Sequence, residues 1–336
     1  MKLSLALGGV AGLALALALA GYYGFAEIAG GIGQAGWGVL AVIAFHSLQV
    51  LFSALAWQAL VPPPPPRSRI IAFIGLRWIR EAVNNLLPVA QIGGEFIGAR
   101  LLRRGGVPLG VAGASVTVDL TMEMMSQIVF TLLGLALLVP GLHEPQVVLW
   151  TITGIGLAAA VVVAFIGAQR FGIFHLIERG LLKLAERGSA WAALGDIAGL
   201  HRSIEALYAS PARLARACAH HSISWLLGGL EVMLALHLVG VSIDWREGLI
   251  IESLGQALRA VGFAIPASLG VQEGGYVLIC GLLGISPQAA IELSLLKRIR
   301  EVALGIPALI AWQIIESRRL VGPVADAAVA ATSDGD

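Results

Sequence analysis

The chain has 336 residues, 57% of them hydrophobic and only 13% charged, with a formal net charge of +1. Soluble domains carry about a quarter charged residues and nucleic-acid binders a basic surplus, so both classes are excluded. Cys218 and Cys280 are too few for a disulfide framework, and what remains is an all-α polytopic membrane protein.

A spanning helix needs about 20 apolar residues. Leu3 to Phe25 has that length. Ala18-Leu19-Ala20 also resembles a signal-peptidase site, so retention and cleavage both stay open. Trp37 to Val61 is a second span, stopped by Pro62 to Pro66. Four more spans are readable: Leu109 to Val139, Val147 to Ala168, Ser222 to Val239 and Gln288 to Ile315.

Two apolar segments are broken instead. Ile70 to Leu102 is interrupted by Asn84, Asn85, Pro88, Gly93 and Gly94. Gly248 to Gly284 is interrupted by Pro266, Gly270, Gly274 and Gly275. Each half is short for a full crossing, which predicts two re-entrant hairpins buried in protein or lining a wet cavity. Six spans and two hairpins place 14 of the 22 basic residues on one side. By the positive-inside rule both termini are then cytoplasmic. Residues 170–217 read as amphipathic helices on the inner leaflet, and the Ala-rich tail 320–336 as disordered. The single transmembrane domain is then 1–319.

The broken segments resemble each other. Pro88 precedes Glu95 by seven residues, and Pro266 precedes Glu273 by seven. Arg80 and Arg259 come before them, and a long charged helix follows each. These features predict a repeat, about 70–139 and 248–315. Three spans lie between the two broken segments, so one copy is inverted relative to the other. Broken helices in inverted repeats are a transporter design.

Seven bases and nine acids fall inside apolar segments. Each costs roughly 2.5–3.5 kcal/mol at a helix centre, so they must pair or line water. Arg77, Glu81 and Asn84 share a helix face, as do Glu252, Gln256 and Arg259; Asp119, Glu123 and Gln127; and Lys297 and Glu301. Static pairing is the plain reading. The functional one is a head-group path built from Arg80, Glu95, Asp119, Glu123, Arg259, Glu273, Arg298 and Glu301. Its near balance of sign suits a zwitterionic or amphipathic cargo. The GxGxxG run at Gly31 to Gly36 lies between spans and is rejected as a dinucleotide site. Cys218, His220 and His221 match no zinc spacing, and His46 and His237 read as packing residues. No metal, cofactor or catalytic constellation is predicted.

Leu86-Leu87-Pro88-Val89-Ala90-Gln91-Ile92-Gly93-Gly94-Glu95, Val118-Asp119-Leu120-Thr121-Met122-Glu123 and Pro266 through Gly270 to Glu273 carry a family likeness. Over roughly Leu40 to Ile315 the chain resembles the flippase-like membrane domain of lysylphosphatidylglycerol synthases. Within that group it looks most like the hopanoid-biosynthesis-associated membrane proteins (HpnL family). The resemblance implies lipid translocation in a bacterial inner membrane without ATP, with Asn85, Pro88, Glu95, Glu273 and Arg298 near the path. It implies membrane lipids as partners: hopanoid, phospholipid or lipid A related. Many relatives have a Gly pair where this chain has Ala267 and Ser268. Relatives that aminoacylate lipids carry a soluble catalytic domain, for which this chain has no room. An intramembrane enzyme acting on a hopanoid or lipid A, and a non-catalytic member of a lipid-assembly complex, are the alternatives.

Overall fold

The computed structural model describes residues 35–61, 69–87, 93–139, 197–261 and 270–333, with isolated positions 33, 149, 153, 156, 160 and 268. The expected span Leu3–Phe25, the five prolines, Pro88 and Pro266 lie outside these stretches, as do most of Val147–Ala168 and of the 170–217 linker.

The described residues are helical: α1 (Gly38–Ala59), α2 (Arg69–Leu86), α3 (Gly93–Arg104), α4 (Leu109–Leu138), α5 (Ile197–Tyr208), α6 (Pro211–Leu238), α7 (Trp245–Val261), α8 (Val271–Leu282) and α9 (Pro287–Ser333). Three of them, α1, α4 and α6, are long and apolar enough to cross a membrane. The chain is therefore a polytopic membrane protein. Helix α6 starts with Pro211 at its first turn, where a missing N–H costs nothing. That start is well before the predicted Ser222. The expected span Gln288–Ile315 lies in α9, whose run Lys297 to Glu301 makes it far more charged than α1 or α4.

Helix α9 continues to Ser333; its alanines at 325, 327, 328, 330 and 331 are the strongest helix formers. The described end of the 170–217 linker packs on the bundle. Ile204 and Leu207 of α5 are buried against Ala114, Val118 and Met122 of α4, and residues from 211 onward are already α6.

Helices α2–α3–α4 and α7–α8–α9 form two units built alike. In each broken segment one helix ends and the next begins, at residues 86 and 93 and at residues 261 and 271. Helices α3 and α8 have 12 residues each. They run about 18 Å at 1.5 Å per residue, against a hydrocarbon core of about 30 Å. Both end in the same turn. Gly106 and Gly284 have φ of 91° and 74°, left-handed values that glycine takes without strain. The next N–H reaches back five residues, from Val107 to the Leu102 carbonyl (3.4 Å) and from Ile285 to the Cys280 carbonyl (2.9 Å), the bond of a Schellman cap. These pairs are 178 positions apart.

The units pack crosswise. Helix α4 lies along α7, and α9 lies along α2, so the last helix of each unit covers the first helix of the other. Helices α1 and α6 pack on each other and touch both units. One apolar core, with Val232, Leu236, Ile251, Tyr276, Ile279, Leu293 and Leu296, ties α6 to α7, α8 and α9. A second, with Trp57, Phe73, Leu102 and Val116, ties α1 to α2, α3 and α4. Between them the helices hold a polar space.

Candidate functional site

A cavity of about 230 Å³ lies where α1, α2, α4, α6, α7 and α9 converge, with Glu95 of α3 in its wall. Four arginines line it (Arg77, Arg80, Arg259 and Arg300) together with four glutamates (Glu81, Glu95, Glu123 and Glu252). His46, Gln49, Asn84, Asn85, Gln127, His221, Trp225 and Gln256 add polar edges.

On the first unit's side, Arg77 grips Glu123 with both terminal nitrogens, one at 2.9 Å. Arg80 is 1% exposed. It reaches Asp119 at 2.7 Å, pairs with Glu95 and lies 4.7 Å over the Trp57 ring. The other oxygen of Asp119 meets His221 Nε2 at 3.0 Å. Two glycines let α3 approach: a Cβ on Gly94 would stand 2.3 Å from the Arg80 carbonyl, and one on Gly98 2.8 Å from Arg80 Cδ. The Gly94 N–H donates to Asn84 at 2.8 Å.

On the second unit's side, Lys297 pairs with Glu252, which also accepts from Gln256 at 2.8 Å. Arg259 reaches Glu301 at 2.6 Å and Asn85 at 2.9 Å, which ties the second unit to the last turn of α2 in the first. Glu301 also meets Arg298 at 3.3 Å. Arg300 pairs with Glu231, which is fully buried and accepts from His46 Nδ1 at 2.9 Å and from Gln49.

Counted from their shared turn, the two units exchange some charges and keep others, Glu95 with Glu273 and Glu123 with Glu301. From the break onward the offset is 178 residues, and Asp119 corresponds to Lys297. The break is three residues longer in the second unit, so before it the offset is 175 and Arg77 corresponds to Glu252. The contact of Arg77 with Asp119 (3.8 Å) is thus matched by Lys297 with Glu252, signs reversed. Sizes are exchanged as well. Arg80 packs on Gly98, whereas at the matching positions Gly255 packs on Tyr276, where a Cβ would be 2.8 Å from the ring. On this count Arg80 falls on Gly255.

Of the predicted path residues, Arg80, Asn85, Glu95, Glu123 and Arg259 come together at the cavity. Asp119 stands behind it and holds Arg80 and His221. Glu301 and Arg298 form a layer behind Arg259. Glu273 is a helix cap: it accepts from the Gly270 N–H at 2.6 Å and touches Arg298 and Ser294 at 3.3 Å. Gly93 and Gly94 open α3, and Gly270, at φ 76°, precedes α8. Ser268, at φ 50°, takes a left-handed backbone where relatives were expected to place glycine. The ionisable cavity residues outside the predicted path are Arg77, Glu81, Glu252 and Arg300, whose charge was visible, and His46 and His221, which sequence reading treated as packing or set aside. Asp119, Glu123 and His221 bring ligand atoms within 4.8 Å of one another, but Arg77 and Arg80 already neutralise both carboxylates, which is poor chemistry for a cation.

The family described as the lysylphosphatidylglycerol synthase TM region matches residues 4–308. The chain belongs to this family. No curated protein and no solved structure matches it. The match covers the first unit, the second unit as far as residue 308, and every residue that lines the cavity of this lysylphosphatidylglycerol synthase TM region.

Proposed function

We propose that this protein is a lipid translocator of a bacterial inner membrane, with both termini cytoplasmic, and that it acts without chemistry of its own. Its cargo is a hopanoid-related or other amphipathic lipid, in keeping with the likeness to the hopanoid-associated branch. The two units are the halves of an inverted repeat, and their breaks are the tips of re-entrant hairpins. The observation that carries this reading is the cavity: walls from both units, inside apolar helices, with four cations and four anions. A space of about 230 Å³ admits a small polar head group and excludes a polycyclic skeleton, so tails stay in the bilayer. Arg77 and Arg300 each keep a buried Nε–H with no acceptor among the described residues, which leaves donors for a head-group oxygen.

Photocrosslinking tests the reading. In vesicles, a lipid with a photoreactive head group labels Met124, Gln127 or Gln256 in the cavity wall. Labelling confined to lipid-facing positions such as Val129 and Ile306 contradicts it.

A further inference from the structure

We propose that Glu81, His46 and Glu231 form a proton-binding site that exchanges one proton with the central cavity and couples head-group passage to proton movement. The coupling rests on the translocator reading, whereas the proton count rests on geometry alone. His46 Nδ1 lies 2.9 Å from Glu231 Oε2, and Nε2 lies 2.7 Å from Glu81 Oε1. A carboxylate only accepts, and a neutral imidazole carries one N–H. Two ring nitrogens against two carboxylates therefore need two protons. One has a fixed place. Glu231 is fully buried and takes Arg300 on one oxygen and Gln49 on the other. It is thus held as an anion, and Nδ1 donates to it. The second proton sits between Nε2 and Glu81, whose side chain is 26% exposed and lines the cavity. Loss of that proton sets a lone pair against a carboxylate and drives Glu81 off.

The charged groups around the three residues are Arg77 from α2, beside Glu81, and Lys297, Arg300 and Glu301 from α9, with the neutral Gln49 on the helix of His46. Arg77 is gripped by Glu123, Lys297 by Glu252 and Glu301 by Arg259. Glu81 has His46 as its partner, so it is the member free to swing. A swing of Glu81 removes an anion from the wall beside Arg77, which changes the cavity's charge where a head group would lie.

Histidine-¹⁵N-labelled full-length protein in lipid nanodiscs tests the proton count at pH 7, with the His46→Gln spectrum subtracted. The expected result is a doubly protonated ring. A singly protonated ring accompanied by a protonated-carboxyl infrared band that Glu81→Gln removes carries the same count. A singly protonated ring without that band overturns the proposal. Coupling is read in vesicles as the steady-state ratio of a head-group-labelled phospholipid between leaflets. One proton per lipid shifts that ratio about tenfold per unit of pH gradient, and His46→Gln abolishes the shift. A wild-type protein that moves lipid with no response to the gradient overturns the coupling and leaves the translocator reading intact. A doubly protonated triad in a protein that moves no lipid overturns the translocator reading and the coupling with it.

Discussion

Glu231 shows how much a single buried carboxylate organises. It is fully buried, and Arg300, His46 and Gln49 converge on it from α9 and α1. Removing one partner of a buried pair leaves an uncompensated charge and costs about 3–5 kcal/mol, whereas replacing both with apolar groups is often neutral. Arg300→Met alone therefore lowers the thermal unfolding midpoint of the purified protein sharply, and Arg300→Met with Glu231→Leu recovers most of the loss. Equal loss in the single and double variants contradicts this account of the pair. Glu123 has a different place: it lies at the cavity wall and is 18% exposed at the side chain. Glu123→Gln keeps the shape and frees Arg77, so it lowers transport more than stability. The sequence placed Arg77 with Glu81, and Lys297 with Glu301, on shared helix faces. Yet Arg77 pairs across to Glu123, Glu81 to His46 and Lys297 to Glu252. Helical spacing tells which side chains point the same way; it does not tell which helix stands opposite.

At the scale of elements, close contacts depend on absent side chains. Gly98 lets α3 lie on Arg80 of α2, and a Cβ there would meet Cδ at 2.8 Å and the Trp57 ring at 3.2 Å. Gly98→Val thus pushes α3 off α2 and reduces the yield of monodisperse protein in detergent. Gly274 in α8 has no atom within 4 Å of an added Cβ, and Gly274→Ala is neutral or gains up to about 1 kcal/mol of helix propensity. The turns are equivalent in the same sense. Gly106→Ala and Gly284→Ala each place a Cβ on a left-handed backbone, at about 1–2 kcal/mol, read as matched falls in unfolding temperature. The helix ends on either side of the two segments, and the helices that follow, were legible because Pro and Gly act locally. The register between the units was not. The longer second break shifts it by three residues, and the exchanges of sign and of size at matched positions hide it from residue identity.

For the whole molecule, the sequence showed that charges lay inside apolar segments, but not that α4 covers α7 while α9 covers α2. That crosswise packing brings Arg259 to Asn85 and makes one cavity from two units. The proposed orientation has a direct check. Cysteines placed at Arg103, in the last turn of α3, and at Ser242, after α6, label from opposite sides of sealed vesicles, whereas labelling from one side contradicts it. The central claim is that a lipid head group crosses through the charged cavity. It is tested most directly in liposomes by the rate at which an inner-leaflet, head-group-labelled lipid becomes accessible to an external quencher. The account predicts fast exposure with the wild-type protein and a fall of about tenfold or more, equal to roughly 1.4 kcal/mol in barrier, with Glu123→Gln or Arg259→Gln. Exposure no faster than in protein-free vesicles, or unchanged in both variants, would contradict it.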